Sequence, residues 1–105
     1  MDAIDQDEVR CWRERNFPNY TLLGQIAGAT GELAGEALQS ALKLDDGRVD
    51  GEDHEGKIID GIGDTLIYLM GACDKLGVQL SDCFYVAWHE VKERDYNKWS
   101  ENKEK

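Results

Sequence analysis

The chain has 105 residues and a mass of 11.9 kDa, is 41% hydrophobic and 32% charged, and carries a net charge of −10 from 12 basic and 22 acidic side chains. A chain of that mass builds one core, burying roughly 65% of its unfolded surface, and a single proline with no low-complexity tract excludes the disordered and collagen-like classes. So acidic a protein is unsuited to grip nucleic acid, where Lys and Arg must displace phosphate counterions. The acidity is uneven, because residues 1–88 hold 7 basic and 17 acidic side chains whereas residues 89–105 hold five of each. A basic contact to an anionic ligand is therefore expected from the C-terminal end.

Cys11, Cys73 and Cys83 form an odd set without CxxC or Cys/His ligand spacing, so neither a disulfide framework nor a zinc site is expected, and a reducing, cytoplasmic setting is the plain reading. The first residues are acidic (Asp2, Asp5, Asp7, Glu8), and no apolar run approaches the 18 or so residues of a membrane span. Neither secretion nor membrane insertion is expected.

Helical periodicity and the scarcity of Thr/Val runs predict a single all-α domain over residues 1–105, a compact bundle of about four helices. The first helix covers about 3–15, with a thin apolar side of Ile4, Val9, Cys11 and Trp12, and ends before Pro18; Asn19 or Thr21 caps the next helix. The second runs from about Tyr20 to Leu44 in three strips. Leu23, Ala27, Thr30, Ala34, Ala37 and Ala41 make a small apolar side. Gly24, Gly28, Gly31 and Gly35 make a glycine strip, at about 1 kcal/mol per glycine relative to alanine, which predicts close approach of another helix. Gln25, Ala29, Glu32, Glu36, Gln39 and Lys43 make the third strip.

Residues 45–55 hold six acids, two glycines and one arginine, and read as an exposed mobile loop. The third helix spans about Gly56 to Leu76 and stops at Gly77. Ile58, Ile62, Leu66, Leu69 and Cys73 line one side of it, Asp60 and Asp64 point nearly opposite, and its second half is apolar almost all round, as in a central or interface helix. Ser81 or Asp82 caps a fourth helix to about Trp99, with Phe84, Ala87, Trp88 and Val91 as core stripe. Residues 100–105 form a tail. The glycine strip and the apolar half of the third helix exceed what the other two helices can cover, which predicts a homodimer or higher homo-oligomer joined through the second and third helices.

Two acidic pairs carry the chemical signal. Glu32 and Glu36, and Asp60 and Asp64, each stand at i, i+4, where like charges repel by a few tenths of a kcal/mol unless something neutralises them. Antiparallel packing would let the pairs face one another as hard oxygen ligands for Mg²⁺, or Mn²⁺ in its place, holding a substrate phosphate. The plain alternative is that both pairs are solvated helix faces. His54 in the acidic loop and His89 on the fourth helix have no nucleophile at a recognisable spacing and read as surface or packing histidines. Trp12 and Phe17 could stack on a base, or fill the core.

The stretch Trp12 to Phe17, the string IAGATGEL (Ile26 to Leu33) and the string IDGIGDTLIYL (Ile59 to Leu69) resemble the MazG-like all-α nucleoside triphosphate pyrophosphohydrolases over roughly residues 8–97. The resemblance implies a Mg²⁺-dependent enzyme that cleaves a nucleoside triphosphate to monophosphate and pyrophosphate, cleansing the nucleotide pool. By that likeness Glu32 and Asp64 are catalytic metal ligands, and Lys92, Arg94 and Asn97 correspond to C-terminal phosphate contacts; Asp60, one residue before a family position, and Glu36, one turn after one, match no family position and are expected only as substitute ligands. Lys92 and Arg94 also fit a mixed-charge surface. Ala29 and Gly61 stand where the family pattern has carboxylates, so a glutamate restored at position 29 is expected to strengthen metal binding. These two substitutions also motivate an alternative, a non-catalytic acidic helical module that binds a protein partner or a nucleotide.

Overall fold

The computed structural model describes residues 5–94. All its regular structure is helical: α1 (Gln6–Asn16), α2 (Leu22–Glu32), a π-helical turn (Leu33–Ala37), α3 (Leu38–Asp45), α4 (His54–Leu76) and α5 (Leu80–Val91). From α2 through the π turn to α3 the chain is one kinked helix, so four helical rods are present. None of the described helices is long and apolar enough to cross a membrane.

Local chemistry accounts for the ends. Asp5 accepts from Glu8 N–H at the start of α1, and Thr21 accepts from Gly24 N–H at the start of α2. Asp53 caps α4 through Gly56 N–H at 2.9 Å, which starts that helix two residues earlier than the periodicity indicated. Gly77 closes α4 at φ 70°, a left-handed conformation that glycine adopts without a Cβ penalty. The start of α5 differs from expectation: Gln79 occupies the cap position, and Asp82 reaches back to the Gln79 N–H at 3.3 Å. This helix ends at Val91, well before the expected Trp99.

α4 is the central element and packs along α2, the π turn and α3. The contact is made by small residues. A Cβ on Gly28 would overlap the ring of Tyr68, one on Gly61 would lie 2.8 Å from the Ala37 Cβ, and one on Gly71 would run into the Gln25 and Arg13 side chains. Close approach therefore explains Gly28 but not the whole strip, because Gly31 and Gly35 face open space. Gly35 instead sits at the kink (φ −82°, ψ −106°) that produces the π turn.

That turn inserts one extra residue into the helical period. The buried face passes from Gln25 and Ala29 to Ala37 and Ser40, one position later than an unbroken helix would carry it. Of the strip expected as the apolar side, Leu23, Ala27, Thr30 and Ala34 are exposed, with Leu23 78% accessible, because α2 turns Gln25 and Ala29 inward, whereas Ala37 at the end of the π turn is buried. Likewise α4 turns Gly61, Thr65 and Ala72 inward while Ile59 and Ile62 remain exposed. The stripe of Phe84, Ala87, Trp88 and Val91 is also not core: α5 contains no buried residue, and Phe84 and Trp88 stack on each other along its exposed side.

The interior is consequently rich in polar groups, dominated by an ion pair between α1 and α4. Arg13 and Asp74 have side chains only 3% and 2% exposed and meet at 2.7 Å. Arg13 also donates to the Ile67 carbonyl at 2.9 Å. Gln6 donates to Asp74 and to the Val78 carbonyl, and its own oxygen accepts the Leu80 N–H at 2.7 Å. One network thus joins α1, the end of α4 and the start of α5. Nearby, the Cys73 and Cys83 thiols lie 3.7 Å apart between α4 and α5, and burial pushes the Cys73 thiol up to about 11.

Removing Asp74 leaves the Arg13 charge buried without its partner, so Asp74→Leu should lower the unfolding free energy by about 3–5 kcal/mol, and Arg13→Met by less, because Asp74 keeps Arg10 at 3.4 Å and the Gln6 amide. The double variant should cost much less than the two together, since no lone charge is then left buried. Urea denaturation of the three variants measures both quantities.

Candidate functional site

A cleft of about 700 Å³ opens between the C-terminal end of α1, the segment leading into α2, and the facing sides of α2 and α4. Trp12 and Phe17 stand at one side, in edge contact with ring centres 5.8 Å apart. They are 45% and 59% exposed, so they line this cleft rather than fill the core. Tyr20 contributes a third ring, carrying Arg13 at 5.3 Å and Lys75 at 4.2 Å from its centre. Tyr68 supplies a fourth, seated over Gly28.

Glu32, half-buried at the last position of α2, and the exposed Asp64, at mid-length in α4, also line the cleft. Two carboxylates remote in sequence therefore share one concavity with four aromatic rings. Their positions follow from the helix crossing that Gly28 and Gly61 permit. Glu36 and Asp60 are not among the cleft residues, and both are exposed. For Glu36 the cause is the π turn, which falls between Glu32 and Glu36 and breaks the i, i+4 alignment. The Lys57 ammonium on α4, raised above its ordinary pKa chiefly by Glu52, also feels the charge of Glu36.

The proposed C-terminal contacts are elsewhere. Lys92 and Arg94 are exposed at the end of α5 and do not line the cleft; Arg94 pairs with Glu90 one turn earlier. Asn97 lies outside the described residues. The cation at the cleft is Arg13, already engaged by Asp74.

Ala29 and Gly61 occupy the helix interface itself. Ala29 is 5% exposed and Gly61 is buried against Ala37. The positions where the sequence pattern called for further carboxylates are thus filled by residues whose small size lets α2 and α4 meet. The expectation that a glutamate at position 29 would simply add a metal ligand does not fit this packing.

A different set of side chains can hold a metal ion. Asp50, Glu52 and His54 bring ligand atoms within 4.8 Å of one another where the acidic loop enters α4, and they are the only group of three or more His, Cys, Asp or Glu gathered in this way among the described residues. His54, read from sequence as a surface or packing residue, is buried, and its Nε2 lies 2.8 Å from Asp50 Oδ1. Both carboxyls are held below their ordinary range, Asp50 chiefly by the Glu52 backbone N–H and Glu52 chiefly by Lys57. The i, i+2, i+4 spacing of Asp50, Glu52 and His54 was the available sequence signal. Tyr20 and Tyr68 gave none, since an aromatic in a helical chain ordinarily reads as core.

No family model matches this chain, and no curated protein or solved structure matches it either.

Because positions 29 and 61 are buried, Ala29→Glu and Gly61→Glu should each destabilise the fold by about 2 kcal/mol or more, through an unpaired buried carboxylate and overpacking. Neither should tighten Mg²⁺ binding. Thermal unfolding with and without Mg²⁺ tests this; a magnesium-dependent gain in stability for Ala29→Glu would show that the added carboxylate does reach a metal.

Proposed function

We propose that the chain is a Mg²⁺-dependent nucleoside triphosphate pyrophosphohydrolase of the MazG-like kind, with the cleft between α1, α2 and α4 as its active site. The observation that supports this most is the convergence of Glu32 and Asp64, from separate helices, in one aromatic-lined concavity. Trp12 and Phe17 are exposed where a planar base could stack, a sequence-tolerant contact that needs no fixed hydrogen-bond pattern.

The donor set suits Mg²⁺, which binds through one or two carboxylates together with substrate phosphates and water. Glu32 and Asp64 would hold it, and bound there it would neutralise phosphate charge and lower the pKa of a coordinated water. The protein's own contribution is positional. The aromatic side of the cleft holds the base, so the triphosphate extends toward the two carboxylates. Glu32, half-buried, is the better placed of the two to accept a proton from the attacking water, and the more exposed Asp64 would serve as a ligand of the cation that draws the phosphates in. Arg13, fixed by Asp74, makes that wall of the cleft less negative.

The packing of Ala29 and Gly61 favours a second reading, in which the cleft binds a nucleotide or a protein partner without cleaving it. The two readings separate in a screen of ribo- and deoxyribonucleoside triphosphates with Mg²⁺ or Mn²⁺ and detection of released pyrophosphate. Turnover is expected, with a loss of at least 100-fold for Glu32→Gln and Asp64→Asn and a raised KM for Trp12→Ala. No turnover of any triphosphate would reject the enzyme and leave the binding module.

The same reading includes a homo-oligomer. Supporting it are the apolar side chains that one copy leaves in solvent on several elements: Leu23, Leu38, Ile59, Ile62, Phe84 and Trp88. Light scattering at tens of micromolar should give at least twice the protomer mass, and Phe84→Glu should lower it; a stable monomer would overturn the assignment.

A further inference from the structure

The imidazole of His54 has one nitrogen accounted for and one that is not. Nε2 lies 2.8 Å from Asp50 Oδ1. A carboxylate only accepts, so Nε2 carries a proton and donates it, and Nδ1 is the ring nitrogen left to act as a ligand. That nitrogen is buried and has no hydrogen-bond partner, in a side chain only 4% exposed. The polar atom facing it is Glu52 Oε2 at 4.0 Å, another acceptor. Glu52 Oε2 is held by Lys57, but the buried Nδ1, sealed from water, is left without any partner, which is unfavourable unless a further species reaches it.

We propose that His54 Nδ1 and Glu52, with Asp50 fixing the ring from its other nitrogen, form a binding site for a divalent cation of the Zn²⁺ type, separate from the aromatic cleft. The span is suitable: bonds of about 2.0–2.2 Å from zinc to nitrogen and to oxygen bridge 4.0 Å when nearly collinear, and a tetrahedral angle needs a separation of about 3.4 Å. Glu52 can supply the difference of about 0.6 Å, because its side chain is 48% exposed while His54 is held in place. The Asp50–His54 contact then has the form of a carboxylate–histidine–metal relay, in which the outer carboxylate sets the tautomer and raises the basicity of the ligating nitrogen.

An imidazole donor selects zinc-like ions over Mg²⁺, which prefers an all-oxygen shell. Two ammonium groups face the same carboxylates. Lys57 Nζ lies 3.0 Å from Glu52 Oε2 and competes with the metal for that oxygen, and Lys43 on α3 acts on Asp50 and Glu52 through its charge. Metal binding at this point ties the loop after α3 to the first turn of α4, and it occurs at the expense of the Lys57 pair.

The test follows the two histidines by ¹⁵N NMR while Zn²⁺ is added to the metal-free full-length chain. The bare Nδ1 of His54 should shift at one equivalent and return with chelator, while the exposed His89 stays in place. Affinity should fall at least tenfold in Glu52→Gln, an exposed substitution that leaves the fold intact, and about tenfold in Asp50→Asn. It should rise in Lys57→Gln and be unchanged in Glu32→Gln and Asp64→Asn, which separates this site from the cleft. The proposal is overturned if Zn²⁺ leaves the His54 nitrogens unmoved, if Glu52→Gln binds as tightly as the parent chain, or if both His54 nitrogens prove to be protonated at neutral pH.

Discussion

The charged contact between Arg13 and Asp74 governs how the other elements of this small protein are placed. A guanidinium and a carboxylate removed from water tolerate little misplacement, because each is costly to bury alone. Gln6 adds a further bond to Asp74 and at the same time holds the α4–α5 connection through Val78 and Leu80. α1 is thereby fixed across the C-terminal half of α4 by polar bonds, while its Cys11 and Trp12 remain exposed. Trp12 and Phe17, one before and four after Arg13 in sequence, are carried to the rim of the cleft as a consequence.

The second constraint is the crossing of α2 over α4. Small side chains at Gly28, Ala29, Ala37, Gly61 and Gly71 bring the backbones together, and the aromatic ring of Tyr68 and the polar ends of Gln25 and Arg13 fill the room they leave. Packing by small residues has a consequence for chemistry, because a position used for close approach cannot also extend a carboxylate. Glu32 and Asp64 escape this limit by lying at the edge of the crossing, and that location is what joins them to the aromatic wall.

The acidic surplus of the chain divides into environments of different character. At the cleft, hard oxygen donors stand in an open, ring-lined concavity suited to a phosphate-bearing ligand. At the start of α4, a buried imidazole sits between carboxylates that are themselves held by a backbone N–H and by Lys57, an arrangement suited to a softer cation. The net charge of −10 alone would not distinguish them.

Local pattern was enough to establish the helical class, the acidic connection before the long central helix and the stop at Gly77, and it narrowed the α2 cap to Asn19 or Thr21, because periodicity, capping side chains and left-handed glycine act over a few residues. It also singled out Glu32, Asp64, Trp12 and Phe17, which the fold brings to one cleft. Which faces turn inward was settled by long-range packing alone. The π turn at Leu33–Ala37 shifts the chain after it by one residue, separating Glu36 from Glu32 and bringing Ala37 inward, while ahead of it α2 turns Gln25 and Ala29 inward and leaves Leu23 and Ala27 exposed. Arg13, Gln6 and Asp74 carry no sequence signal that sets them apart, since a buried ion pair leaves no periodic trace until distant parts of the chain meet. The same is true of His54, whose lone nitrogen acquires meaning only when burial removes the water that would otherwise satisfy it.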